Sequence, residues 1–174
     1  MRHLAAAGYR PMPWANGRGT TVELLREDGP EGLRFRLSIA SVTGDGPFSI
    51  LPGIERSLTV ISGPGFRLTG EGRSLICAPL VPVFFPGDLA LCAEGTGGSP
   101  SEDFNVMTAR ALPRPDVTVL QTPVELPAGG TLYLLALDPL VINSLPVQRH
   151  DLVITETSVR IDGAGPVIAV RRPR

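Results

Sequence analysis

An all-β fold of the jelly-roll kind is predicted by three features of this 174-residue chain. Short apolar segments with two-residue alternation recur from end to end. The 20 Gly and 18 Pro, spread throughout, interrupt them at short intervals, and no segment sustains an i, i+3, i+4 apolar stripe. Strands this short bury their apolar sides by packing sheet on sheet, as in a sandwich or barrel. The length suits one compact domain or two small, tightly fused lobes.

Taken in order, the opening "MRHLAAAGYR" has a short Ala run but not the apolar core of a signal peptide, and no stretch approaches a membrane span. The expectation is a soluble cytoplasmic protein with no membrane partner. "PWANGRGTTVEL" (13–24) sets the chain's only tryptophan, Trp14, with Asn16 and two glycines ahead of a strand whose Thr21 and Glu23 oppose Val22 and Leu24. "FRLSIASV" alternates Phe35, Leu37 and Ile39 against Arg36, Ser38 and Ala40. "SLTVIS", "GFRLTG" and "LALCA" follow, then "EDFNVM", where Asp103, Asn105 and Met107 share one face and Phe104 and Val106 the other. "DVTVLQ", "TLYLLAL", "DLVITE", "SVRID" and "PVIAV" complete the series. Cys77 and Cys92 lie in apolar runs and are expected as buried free thiols. "PVFFPGDLAL" (82–91) and "PVQRHDLVI" (146–154) share Pro-Val, then Asp-Leu, an echo that chance explains as readily as duplication. Read as duplication, it suggests two fused barrels: residues 1–121 with the N-terminal motif, and a smaller half at 122–174 completed by strands from the first, joined at 122–130.

Several chemistries are excluded. The 16 basic residues are all Arg, nearly cancel 17 acids and form no cluster, so nucleic acid is not an expected partner. His3 and His150 are the only histidines, too few for a three-His metal centre. They read as a solvated terminal residue and a turn residue, and no metal or cofactor is expected. No G-x-S-x-G elbow occurs, and a nucleophile has almost no His to activate it. "GTGGSP" (95–100) does not open a helix and reads as a surface connection.

Recognition remains. Trp14 offers a flat apolar wall, Asn16 donates and accepts, and the glycines let backbone N–H groups approach a ligand. On the residues alone this is balanced against a capped turn with a core Trp. Arg56, after the Pro-Gly turn of "PFSILPGIERSL", suits a carboxylate gripped by two parallel hydrogen bonds, or else a pair with Glu55 or a surface acid. Asp103 and Asn105 suit a polar pocket floor. Ser38 can join them, whereas Arg36 is expected on a solvated outer face.

"MPWANGRGTTVEL", "FRLSIASV", "GPFSILPGIERSLTVISG", "FFPGD" and "DFNVMTAR", in that order, resemble the HutD/Ves family of cupin-fold proteins over residues 11–110. Beyond 115 only the strand pattern agrees. The resemblance implies a metal-free bicupin with a role in sensing or limiting a histidine-utilisation intermediate such as N-formylglutamate or urocanate. The sequence departs from the family pattern at Ala15, Arg18 and Val22. The reading that results is a non-enzymatic binding protein for a small carboxylate, with Trp14, Asn16, Thr21, Glu23, Ser38, Arg56, Asp103 and Asn105 as ligand-binding residues. Its alternatives are a metal-independent enzyme using Glu23 or Asp103 as base on a small carboxylic acid, and a protein-interaction scaffold. The expected protein partner is a second copy of the chain, in a homodimer.

Overall fold

The computed structural model describes every residue except Asn16, Arg18 and Arg174. Among the described residues there is no α-helix, only strands and a 3-10 turn at Ala6–Gly8. Among the described residues, no helix is long and apolar enough to cross a membrane. The chain forms two compact units, residues 10–112 and residues 1–9 with 113–174. The division falls at 112/113, before the expected join at 122–130, and the first nine residues belong with the C-terminal unit.

β1 (Arg2–Leu4) is part of that second unit. Residues 10–112 carry β2 (Pro11–Pro13), β3 (Gly19–Gly29), β4 (Gly32–Val42), β5 (Gly46–Pro47), β6 (Ile54–Ser62), β7 (Phe66–Gly70), β8 (Arg73–Cys77), β9 (Val83–Pro86), β10 (Cys92–Glu94) and β11 (Ser101–Ala109). They form one sheet in the order β2-β3-β4-β11-β6-β9 and another in the order β5-β10-β7-β8. Val42, Leu58, Val60, Phe66, Leu68, Cys77, Phe85, Leu91 and Ala93 pack as the apolar core of this unit.

The second unit adds β12 (Asp116–Gln121), β13 (Val124–Leu126), β14 (Thr131–Ala136), β15 (Leu140–Ile142), β16 (Leu145–Val147), β17 (Leu152–Thr155), β18 (Val159–Gly163) and β19 (Pro166–Arg172). Its sheets run β1-β17-β14-β19-β12 and β13-β18-β15-β16. Adding eight to each strand number turns β4-β11-β6-β9 into β12-β19-β14-β17, and β5-β10-β7-β8 into β13-β18-β15-β16. Each unit is therefore the same eight-stranded jelly roll, built as two open sheets rather than one closed barrel.

The repeat is real in topology, but the sequence echo does not mark it. Val83 opens β9 whereas Val147 closes β16, so the matched Pro-Val pairs sit on strands that do not correspond. Two further expectations change. His3 is not merely solvated: β1 pairs with β17, and the His3 ring lies 2.7 Å from Asp151 Oδ2, where the Ala6 and Gln148 backbone N–H groups also donate to the Asp151 carboxylate. Cys77 and Cys92 are free, but only Cys77 is buried, because alternation on the short β10 turns Cys92 outward and Ala93 inward.

The interior of the second unit is mainly apolar, with Thr155 of β17 buried beside its partner Leu132. Leu132, Leu134 and Ala136 of β14 meet Val167 and Ala169 of β19, with Leu140, Ile142 and Ile161 opposite. Leu134 is fully buried, so Leu134→Ala should lower unfolding free energy by about 2–5 kcal/mol, through lost transfer energy and the cavity left behind. Equilibrium urea unfolding followed by far-UV circular dichroism checks this.

Candidate functional site

In residues 10–112 the inner face of the large sheet becomes polar towards one end. Strand register lines its residues up in rows: Thr21–Ala40–Asp103–Val60, then Glu23–Ser38–Asn105–Leu58, then Arg26–Arg36–Met107–Arg56. Alternation puts all of these on one face. A β-bulge between Glu23 and Leu25 lets β3 bury Leu24 and still keep Arg26 in the third row. Val60 and Leu58 belong to the apolar core, while Arg56, two residues further along β6, stands where the core gives way to a cavity of about 340 Å³.

That cavity is lined by Trp14, Ala15, Thr21, Arg36, Ser38, Ala40, Pro47, Phe48, Ser49, Leu51, Arg56, Asp103, Asn105 and Met107. Six of the eight residues expected from sequence thus surround one space: Trp14, Thr21, Ser38, Arg56, Asp103 and Asn105. Asn16 lies outside the described residues, as does Arg18. Glu23 does not line the cavity; its Oε2 instead accepts from Arg36 Nε at 2.7 Å, fixing a guanidinium that does.

Arg36 itself departs from expectation. Its face of β4 is the cavity wall, because Phe35, Leu37 and Ile39 are buried on the opposite face, leaving no outer side for the polar residues to occupy. The small Ser38 and Ala40 in its row of alternation were the signal, since small side chains leave room for a ligand. Phe48, Ser49 and Leu51, from the turn before β6, carried no such signal.

Trp14 is fixed by two features of its own segment. Its Nε1 donates to Thr21 Oγ1 at 2.8 Å, and its backbone N–H donates to the Gly19 carbonyl at 2.9 Å. A Cβ on Gly19 would sit 2.8 Å from the indole, so only glycine lets the ring lie against the chain there.

At the cavity floor a guanidinium, an amide and a carboxyl form a line. Arg56 is 6% exposed; its Nη2 donates to Asn105 Oδ1 at 2.8 Å, and Nη1 makes a long 3.5 Å contact with the Ser49 carbonyl. Asn105 Nδ2 in turn donates to Asp103 Oδ1. The amide dipole is oriented by a guanidinium at one end and a carboxyl at the other, an arrangement in which successive hydrogen bonds polarise one another. Phe48 and Phe85 flank the guanidinium carbon at 5.2 and 5.1 Å from their ring centroids, within cation–π range. Arg56 does not pair with its neighbour Glu55, which instead accepts from Arg110 at 2.6 Å.

The amide between them keeps the two charged groups apart, and desolvation wins over their attraction. Burial lowers the Arg56 pKa to about 10, opposed by Asp103 and reinforced by the like charge of Arg36. Burial likewise pushes the Asp103 carboxyl up to about 7, against the pull of Arg56 and the Asn105 hydrogen bond. Arg56 Nε and Asp103 Oδ2 are buried with no hydrogen-bond partner among the described residues. No group of three His, Cys, Asp or Glu side chains gathers anywhere among the described residues.

Two cupin-type jelly rolls in one chain, one filled by hydrocarbon and the other holding a polar cavity, define the class. The chain belongs to the HutD family, whose sequence model matches residues 6–162. It is 32% identical over 126 residues to the protein Ves of Cronobacter sakazakii, covering 71% of this chain and 70% of that one. It is 38% identical over 111 residues to an uncharacterised 21.2 kDa protein encoded in the hutC 3′ region of Pseudomonas putida; the match covers 61% of this chain and 57% of that protein. The fold matches HutD of Pseudomonas fluorescens SBW25 with a TM-score of 0.86, at 26% identity, over 99% of both chains.

Because Asp103 is held protonated up to about pH 7, the folded chain binds more protons than the unfolded one between roughly pH 4 and 7. The contribution of this group to stability is present below about pH 4 and is lost as pH rises through 7. Asp103→Asn keeps the shape and cannot ionise. Its stability relative to wild type should rise on the order of 2–4 kcal/mol between pH 4 and pH 8, measured by urea unfolding at each pH.

Proposed function

We propose that this protein binds a small carboxylate metabolite in the cavity of residues 10–112, without turnover and without a metal, and acts in the cytoplasm. The observation that carries this reading is that two guanidiniums, Arg36 and Arg56, front one cavity, where the like charge of Arg36 adds to burial in weakening Arg56's hold on its proton. An anion between them relieves that repulsion. Arg56 Nη1, with only the long contact to Ser49, is free to turn to a carboxylate oxygen. Ser38 and Thr21 supply hydroxyls, and Trp14, Phe48 and Leu51 supply apolar walls. The mainly apolar interior of the other unit, which buries no guanidinium among the described residues, supports one ligand per chain. Family membership extends the reading to sensing or limiting a histidine-utilisation intermediate, with N-formylglutamate and urocanate as the first candidates.

A second reading has one observation in its favour. A carboxyl with a pKa near 7 lining a cavity is suited to general acid–base work. In that case Asp103 removes a proton from a bound carboxylic acid, and Asp103→Asn abolishes turnover. Proton NMR of each candidate acid incubated with the protein separates the two: unchanged spectra support binding alone.

Thermal unfolding with formate, acetate, urocanate and N-formylglutamate tests the main reading. A true ligand supplied at about 100 times its dissociation constant stabilises the fold by about 2.7 kcal/mol. Arg56→Lys should weaken the effect, since a point charge cannot reproduce a two-pronged contact, and Arg56→Ala should remove it. Asn105→Ala should cost about 1.5–3 kcal/mol even without ligand, because its amide bonds to a charged group on one side. Equal ligand responses from wild type and Arg56→Ala would return Arg56 to a structural role.

A further inference from the structure

We propose that Asp103 carries a proton when the cavity is occupied and donates it, from Oδ2, in a hydrogen bond to the ligand's carboxylate, so that binding at alkaline pH draws one proton from solvent. The inference rests on the carboxylate reading of the cavity and adds a second contact opposite Arg56.

The geometry leaves Asp103 one task undone. Its Oδ1 accepts from Asn105, while Oδ2, fully buried on a residue that lines the cavity, has no partner among the described residues. A buried polar atom in this state costs free energy unless something arrives to pair with it. The charged groups that act on Asp103 are Arg56 from β6 and Glu102 beside it on β11, while Arg36 from β4 lines the same cavity and Cys77 of β8 feels the Asp103 charge. With Glu23 paired to Arg36, an ionised Asp103 leaves the cavity neutral and sets a second negative charge beside any entering anion. A protonated Asp103 leaves one net positive charge and turns the orphaned Oδ2 into a donor. The proton balance is simple: above the range where Asp103 is already protonated, one proton passes from solvent to Oδ2 as the anion binds and returns when it leaves. Burial already holds this carboxyl close to the protonated form at neutral pH.

Residues 10–112 contain no His and no Lys, so the neutral range is almost empty of other titrating groups. Cys77 is pushed up to about 12 by burial, and Cys92, which is exposed, is removed by working in a Cys92→Ser background.

The test is formate affinity from pH 5.5 to 9, followed by calorimetry in pairs of buffers with different ionisation enthalpies, on the full chain and on Asp103→Asn. The expected result is an affinity that is flat at acid pH and falls about tenfold per pH unit above 7, with close to one proton taken up per formate. Asp103→Asn, whose amide donates at every pH, should show no slope and bind formate more tightly than wild type at pH 9. Proton uptake in the wild-type protein reports independently of whether the variant folds. Formate binding that depends on Arg56 but has no pH slope and no proton uptake overturns this inference and leaves the carboxylate site standing. No formate binding by wild type at any pH overturns both.

Discussion

A guanidinium buried in the interior of a β-sandwich is the constraint around which residues 10–112 are arranged. Arg56 occupies an inward position on β6 next to Leu58, where alternation would otherwise continue the hydrocarbon core. Burying such a charge without partners is costly, and the neighbouring strands carry the compensation. β11 brings Asn105 and, through it, Asp103; the turn before β6 brings Phe48 and the Ser49 carbonyl; β9 brings Phe85. The compensation is partial, since Arg56 Nε and Asp103 Oδ2 lack partners among the described residues. It is this incomplete satisfaction at the edge of a cavity that the proposed anion site would complete.

The second unit supplies the contrast. It repeats the same strand order, yet β14 and β19 carry Leu132, Leu134, Ala136, Val167 and Ala169 where β6 and β11 carry Arg56, Asp103, Asn105 and Met107. Polar residues inside the first unit are therefore no requirement of the jelly roll. The same strand order closes there on a mainly hydrocarbon interior, so architecture does not call for the guanidinium and carboxyl inside residues 10–112.

Much of the fold was legible because strand alternation and Gly/Pro punctuation are local signals. "DVTVLQ" is β12 residue for residue, and "PVIAV" opens β19 at Pro166. Pairing is not local. The strand-for-strand repeat can be seen only once partners are known, and the short echo at 82–91 and 146–154 pointed to strands that do not correspond. For the site, the acid and amide on one face of "EDFNVM" and the arginine after the Pro-Gly turn were readable as chemistry out of place in a core. Arg36 was not, because an arginine alternating with Leu37 and Ile39 has the pattern of an ordinary solvent-facing residue until both faces of β4 are seen to be covered. Glu23, expected among the ligand-binding residues, holds the Arg36 guanidinium, a contact that spacing cannot show.

The central claim is that the partly satisfied Arg56 guanidinium is the anchor of an anion site. A high-resolution crystal structure of the protein soaked in formate or acetate addresses it most directly. The account predicts a planar carboxylate in the cavity of residues 10–112, with an oxygen within about 3 Å of an Arg56 nitrogen and the second unit's interior empty of ligand. Carboxylate found only on exposed arginines, with Arg56 contacting protein atoms alone, would contradict it.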